Sequence, residues 1–370
     1  MVDINYGGQY HAVMKKPCGC LNNHRANYNP ANRRIAALVS TILRDSPQRT
    51  KERIAMNCER CEKKCAKFGT TRDGQQRYRC CDCKRTYSEP KPLAGMHTPV
   101  KDACRVLSML LEGVSIRSTS RLLGIDKNTI IRIMVQAGEQ CQKFLPARVR
   151  RVEFPDIQVD EQWGFVYCKE KTNLMNCYGE TTGDAYVYIA IDRDSKFIPC
   201  YHLGKRCKED TWTFIEKLAL RVGGRPQITS DGYKPYTTAI PLTYRFECDF
   251  AQLSKKYGML EPEGPRRYSP ASIIGTDRKA VCGQPNDERI STSHIERMNL
   301  SNRMCNRRMT RLTNGFSKKW ENHEAMLALW FCYYNGCRKH MTIKTTPAIA
   351  AGLATEQWSV ERLLLESAAV

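Results

Sequence analysis

The sequence predicts an α/β protein in which a mixed sheet is layered with helices, and two smaller modules precede the sheet. Three observations lead there. From residue 156 the chain becomes β-branched and aromatic, with turn residues between the runs, in "DIQVDEQWGFVYCK" and "DAYVYIAIDRDSKFIPCYHL". A helical stretch, "KEDTWTFIEKLALRVGG", then leads to the short buried strand "PQITSDG", and a later helix follows. Upstream, a cysteine-rich segment at 56–90 and a helical one at 98–145 each carry a pattern of their own.

A chain of 370 residues is long enough for two or three domains, at least one with a full core. Its net charge of +21 implies a polyanionic partner. Nucleic acid is the default, because phosphate contacts depend on Lys and Arg, and a basic protein with no partner is the alternative. Residues 1–150 hold 28 Lys/Arg against 12 Asp/Glu, so that part is expected to grip DNA or RNA. No run of 18 apolar residues exists, so no membrane span is expected, and "MVDINYGGQYHAVMKK" lacks the apolar stretch of a secretory signal. The 19 cysteines then read as reduced thiols and metal ligands rather than disulfides, and the expected location is cytoplasmic and nucleoid-associated.

Residues 1–55 read as a basic, flexible arm, with one short amphipathic helix at "RIAALVSTILRDS" (34–46). "PCGC" at 17–20 offers two thiols with no matching pair nearby. In 56–90, Cys58, Cys61, Cys80 and Cys83 form a C-x2-C-x18-C-x2-C pattern. Two such knuckles around a hairpin-sized insert fit a tetrahedral structural zinc site, which must supply the folding energy of so small a segment. Cys65 and Cys81 are rival ligands that do not fit the spacing as well. Thr98-Pro99 suits an N-cap and first helical position. Residues 115–138 then give two helices around a Gly124 turn, with Asp126 as N-cap of the second. This is a helix-turn-helix pattern, or a plain helical hairpin, with Leu122, Leu123, Ile125, Ile130 and Ile133 as its core. As a DNA reader its second helix offers Lys127, Asn128, Thr129 and Arg132. "LPARVRRVEFP" (145–155) reads as a linker, 155–340 as the α/β domain, 251–290 as a loop-rich insertion within it, and 341–370 as a helical tail.

Phosphoryl transfer assisted by two divalent cations needs carboxylates that clamp both. Asp160 follows the strand "DIQV", with Glu161 beside it as a competitor, and a turn or backbone-bonding role is open to it. Asp231 follows "QITS", although Asp-Gly is also a common turn. Asp184, Asp192 and Asp194 sit near a hairpin and read as turn residues. Glu296 is the one acid among eight Lys/Arg between Arg289 and Trp320, yet Ser293-His-Ile-Glu296 would also make a capping box. Ile295, Met298, Asn302, Cys305, Met309 and Leu312 keep helical spacing and predict a buried stripe. Glu296, Asn299, Leu300, Arg303 and Arg307 fall on the adjacent face, which aligns the acid with arginines suited to DNA phosphates.

"VDEQWGFVYCKEK", "TSDGYKPY", "HIERMNL" and "RLTNGFSKKWENHEAML" resemble transposases of bacterial and archaeal insertion-sequence-one elements, and "CERC…QQRYRCCDCKRTYS" resembles their zinc finger. The resemblance covers about residues 56–340. It implies a ribonuclease H-like catalytic domain with an Asp-Asp-Glu triad, preceded by a zinc finger and a helix-turn-helix that bind element ends. By motif the triad is Asp160, Asp231 and Glu296, holding two Mg2+ or Mn2+ ions, with Arg303 as the basic residue two turns on and His294 and Arg297 touching DNA. The implied activity is metal-dependent end cleavage and strand transfer on double-stranded DNA, by a homodimer or larger assembly that pairs two ends. Residues 1–55 have no counterpart in those motifs, which makes Met56 a candidate translation start. The long gap from Asp231 to Glu296 implies an inserted subdomain. The rival readings are a ribonuclease H-like nuclease or resolvase, and a transposase-derived regulator that binds DNA without cutting it.

Overall fold

The structure, a computed structural model, describes residues 57–58, 60–71, 76–88, 92–258 and 273–370. The arm, its expected helix at 34–46 and the cysteines at 18 and 20 lie outside the described residues.

Three short antiparallel strands open the described chain: β1 (Cys65–Thr70), β2 (Gln76–Cys80) and β3 (Thr86–Ser88), in the order β1-β2-β3. Their buried cluster is Cys58, Cys65, Tyr78 and Cys80, separate from the main core. The two cysteine pairs adopt matching turns. Cys58 N–H donates to Lys63 O at 2.8 Å, and Cys80 N–H to Arg85 O at 2.9 Å. The residue after each pair, Glu62 or Lys84, has positive φ.

Three helices follow: α1 (Val100–Leu111), α2 (Ile116–Leu123) and α3 (Lys127–Arg148). Pro99 rather than Thr98 is the N-cap of α1, one residue later than expected. Ser115 caps α2, Gly124 ends it at φ 68°, a conformation glycine adopts without steric cost, and the Asp126 carboxylate accepts from Asn128 N–H to start α3. Ile130 and Ile133 are buried as expected, but Leu122 is 67% exposed and takes no part in the core. The linker expected at 145–155 is not one. Helix α3 runs on through Pro146, and Leu145, Val149 and Phe154 belong to the main core. The short strand β4 (Val152–Glu153) pairs in parallel with β8 (Val222–Gly223).

Strand β5 (Asp156–Val166) is the longest of the main sheet. It pairs antiparallel with β6 (Gly183–Asp192), which pairs antiparallel with β7 (Cys200–Gly204). Helix α4 (Glu170–Asn176) lies in the β5–β6 connection. Helix α5 (Lys208–Ala219) crosses to β9 (Gln227–Ser230), parallel to β5, and α6 (Tyr236–Thr243) crosses to β10 (Asp249–Tyr257), parallel to β9. Strand β11 (Ile273–Cys282) closes the edge antiparallel to β10, giving the mixed order β11-β10-β9-β5-β6-β7. Residues 251–290 were expected to be an insertion of loops, and this is corrected: β10 is an integral strand of the sheet.

Helix α7 (Ser293–Cys305) packs on β5 and β6. It ends at Asn306, and Arg307–Met309 form a 3-10 turn, so the predicted stripe breaks before its last member: Leu312 is 90% exposed at φ 56°. Helix α8 (Trp320–Gly336) packs along α3, where Gly138 lets the two backbones approach so closely that a Cβ there would collide with the Ala325 carbonyl. Helices α9 (Pro347–Ala350) and α10 (Val360–Ala368) complete the chain, and α10 packs on α1, α3 and α8. One continuous core therefore spans the helical segment and the sheet. Among the described residues no helix is long and apolar enough to cross a membrane.

Candidate metal centres

Alternation along β5 builds the first centre. Gln158, Asp160 and Gln162 are spaced by two, the interval that places side chains on one strand face, and all three bond to α7. Gln158 Oε1 accepts from the His294 and Ile295 N–H groups at 3.0 and 3.1 Å, satisfying the start of the helix. Asp160 Oδ2 accepts from Asn299 Nδ2 at 2.7 Å. Gln162 donates to Asn299 O at 2.7 Å and accepts from Asn302 Nδ2 at 2.6 Å. The helix carrying Glu296 is thus stapled to the strand carrying Asp160.

The β5–β9 register runs from Asp156↔Gln227 to Gln158↔Thr229, so extending it by two pairs sets Asp160 opposite Asp231. Among the described residues, Asp160, Glu161 and Asp231 have carboxylate oxygens within 4.8 Å of one another. Burial, then the Asp231 charge, pushes Asp160 up to about 7, and the Glu296 charge adds to this. The same two causes push Glu161 up to about 8. The Glu161 side chain is 2% exposed. Its Oε2 meets Arg206 Nη2 at 3.4 Å, and its Oε1 is buried without a hydrogen-bond partner. Arg206 in turn lies 4.3 Å from the centre of the Tyr233 ring. Asp231 also fills the turn role its sequence allowed, accepting Tyr233 N–H at 3.0 Å.

Glu296 stands beside this group rather than in it. Its Oε1 accepts the Thr292 hydroxyl at 2.6 Å and pairs with the Lys255 ammonium from β10. The expected Ser293–Glu296 capping box does not form: Thr292 is the N-cap, its side chain makes no capping bond, and its hydroxyl donates to the glutamate instead of accepting a backbone N–H. Arg303 is half-buried and close enough to feel the Asp160 charge, and its Nη1 has no hydrogen-bond partner. Burial and the Arg311 charge pull it down to about 10. Arg297 and Arg307 are exposed, the latter in the 3-10 turn after the helix. Asp192 accepts Ser195 N–H and hydroxyl in the turn and Asp194 pairs with Arg289, whereas Asp184, expected as a turn residue, stands in β6 and accepts Glu170 N–H at the start of α4.

An all-oxygen donor set suits a hard divalent cation, and the orphaned Glu161 oxygen is a lone pair available to one. Asp160, Glu161 and Asp231 are therefore the residues that fit such an ion. The second centre is Cys58, Cys61, Cys80 and Cys83, whose sulfurs lie within 4.8 Å of one another, a donor set that suits tetrahedral zinc. The Tyr87 hydroxyl, 3.1 Å from Cys58 Sγ, favours its thiolate and pulls it down to about 6. Cys65 and Cys81 stand outside the group.

Lys127, Asn128 and Arg132 are exposed at the start of α3, and Thr129 is half-buried. Sequence reasoning missed the part played by Asn299, Gln158, Gln162, Lys255 and Arg206. The alternating Gln158, Asp160 and Gln162 within a predicted strand was the one available signal.

No family model matches this chain. Among solved structures, a cryo-EM structure of the piggyBac transposase synaptic complex with hairpin DNA is similar at a TM-score of 0.28 and 10% identity, over 68% of this chain and 56% of that one. The chain thus spans little more than half of that structure, and a likeness at this score fixes neither family nor activity.

Proposed function

We propose that this chain is a DNA transposase of the insertion-sequence-one type, binding element ends and catalysing metal-dependent cleavage and strand transfer. One observation carries the reading: Asp160 and Asp231 converge on neighbouring parallel strands, while the helix bearing Glu296 is fastened to the same strand as Asp160. Three antiparallel strands followed by two parallel ones is the ribonuclease H-like arrangement that the motif resemblance implies, and it supports the assignment.

Asp160, Asp231 and Glu161 would hold two Mg2+ or Mn2+ ions, with Glu296 joining them once it leaves the Lys255 ammonium. When bound, these activate the attacking oxygen and stabilise the departing one. The chain's own groups do the rest. Asn299 orients the Asp160 carboxylate. Arg303 and Arg307 lie along the path of a DNA strand leaving the centre, and His294 and Arg297 contact phosphates. Lys127, Asn128, Thr129 and Arg132 engage the terminal repeat, helped by a four-cysteine zinc ribbon. Water attack on a phosphodiester at the element end releases a 3′-hydroxyl. That hydroxyl then attacks a target phosphodiester and displaces another 3′-oxygen, so one ester bond replaces another and no covalent protein–DNA species is needed. Pairing two ends calls for at least a dimer on DNA.

The test is cleavage of duplexes carrying the terminal repeats by the full chain with Mg2+. Asp160→Asn, Asp231→Asn and Glu296→Gln are each expected to keep end binding and lose cleavage. Wild-type cleavage by any of them would remove that residue from the mechanism. A strand-transfer assay on pre-cut ends separates the transposase from a nuclease that cuts without joining.

A further inference from the structure

A second cluster of functional groups lies beside α7 where that helix passes the end of β6. A cavity of about 70 Å³ opens between the β6–β7 turn, α7 and the loop after α8, lined among others by Lys196, His294, Arg297, Ser301, His340 and Thr342. A single water needs roughly 10–15 Å³ on this measure, so the space holds several waters or one tetrahedral oxyanion.

Its walls supply donors. Lys196 is only 7% exposed. Its ammonium donates to the Arg193 carbonyl and to His294 Nδ1, the latter at 3.1 Å. Because Nδ1 of His294 accepts there, its ring hydrogen sits on Nε2. His340 is arranged alike, since its Nδ1 accepts Thr342 N–H at 3.3 Å. Both imidazoles are therefore left with an Nε2–H donor. Arg297 adds an exposed guanidinium.

No acid among the described residues lies within ion-pairing distance of Lys196, and the acids of the neighbouring turn have other partners. Asp194 is held by Arg289, Asp156 by Arg289 and Arg193, and Asp192 by Ser195. A buried ammonium with no close ion pair is costly: burial weakens its hold on the proton, and the charges of Asp194, Asp192 and Asp156, acting from beyond ion-pairing distance, offset part of this. An anion seated in the cavity relieves that cost.

We propose that this cavity is a phosphate-binding pocket, in which Lys196, His294, Arg297 and His340 together receive one phosphate group. The ligand chemistry is a phosphate oxyanion, either a diester of bound DNA or free phosphate. The DNA source rests on the transposase reading, but the anion pocket does not.

The experiment uses the full chain with its zinc retained and no Mg2+ or Mn2+ added, so it is independent of cleavage. Inorganic phosphate, added at constant ionic strength, is expected to shift the His340 ring resonances saturably where chloride does not. Lys196→Met should abolish the shift, and His340→Ala should weaken phosphate at least fivefold by calorimetry. Circular dichroism checks both folds, and His340→Ala alone decides if the lysine variant fails to fold. The salt dependence of duplex binding then identifies the source. If the pocket holds a DNA phosphate, Lys196→Met lowers the slope of log K against log salt by about 0.9, equally for specific and random duplexes. Phosphate binding with an unchanged slope supports a pocket for free phosphate and rejects the DNA source. Absence of any phosphate-specific shift in the wild type overturns the proposal, even if the Asp160 and Asp231 variants behave as the transposase reading requires.

Discussion

At the scale of residues, Asp160 and Glu161 set a pH dependence whose sign follows from their surroundings. Burial and the Asp231 charge raise them from ordinary values of 3.8 and 4.5 to about 7 and about 8. The folded chain therefore binds protons more tightly than the unfolded one between those limits, and its stability falls as pH rises through them. The metal-free wild type is expected to lose melting temperature from pH 5 to pH 8 relative to Asp160→Asn or Glu161→Gln. Mg2+ should restore more at pH 8, where the ligands are already deprotonated. Parallel melting curves for wild type and variants across that range would contradict this account. Asn335 is a different case. From within α8 its side chain exchanges two 2.9 Å hydrogen bonds with the N–H and C=O of Ile198, acting as a substitute strand partner. Asn335→Ala leaves both backbone groups buried and unpaired, at roughly 1–3 kcal/mol each. A loss of about 2–4 kcal/mol is expected in urea denaturation with an unchanged m value.

Elements differ in where their stability comes from, and that difference also governs how well the sequence announced them. The three-stranded module has cysteines and one tyrosine as its buried cluster, too little apolar burial to hold it, so its order is expected to depend on a metal at the four cysteines. Treatment with EDTA is expected to expose residues 57–88 to proteases and weaken DNA binding while the sheet stays folded, with released zinc followed by a colorimetric chelator. The α3–α8 contact depends instead on the missing side chain of Gly138. Gly138→Ala should destabilise by about 1–3 kcal/mol through overpacking, read by denaturant titration. The cysteine spacing was legible because metal geometry imposes a strict period, and β5 because its β-branched and aromatic residues favour a strand. Strand β11 left no such trace: it is an edge strand exposed along nearly its whole length, with Asp277, Arg278 and Lys279 in its middle, so no apolar face patterned it. The end of α7 was equally hidden. Apolar spacing continues to Leu312, but the chain turns at Asn306, whose side chain accepts Arg308 N–H, a local bond that periodicity does not register. Asp160 and Asp231 were legible as acids in strand contexts, whereas the Lys255 contact that holds Glu296 aside comes from a segment read as loop.

For the whole molecule, the continuous core has a mechanical consequence. The same buried cluster holds α1, α3, the sheet, α8 and α10, so the helix pair expected to read DNA is no hinged appendage. Thermal unfolding monitored by the helical signal at 222 nm and by tryptophan fluorescence should give coincident transitions, apart from the zinc module. Separated transitions would mean that the helical segment folds alone. Helix α3 begins with Lys127 and Asn128 in solvent and ends with Phe144 and Leu145 inside the core. Its 22 residues span about 33 Å at 1.5 Å each, close to ten base pairs of B-form DNA at 3.4 Å per step. Its buried residues run from Ile130 to Leu145, so the core grips the rod almost from end to end and only its first turn stands in solvent. In the proposed complex that turn would meet DNA as the tip of a fixed prong, with no joint behind it to bend.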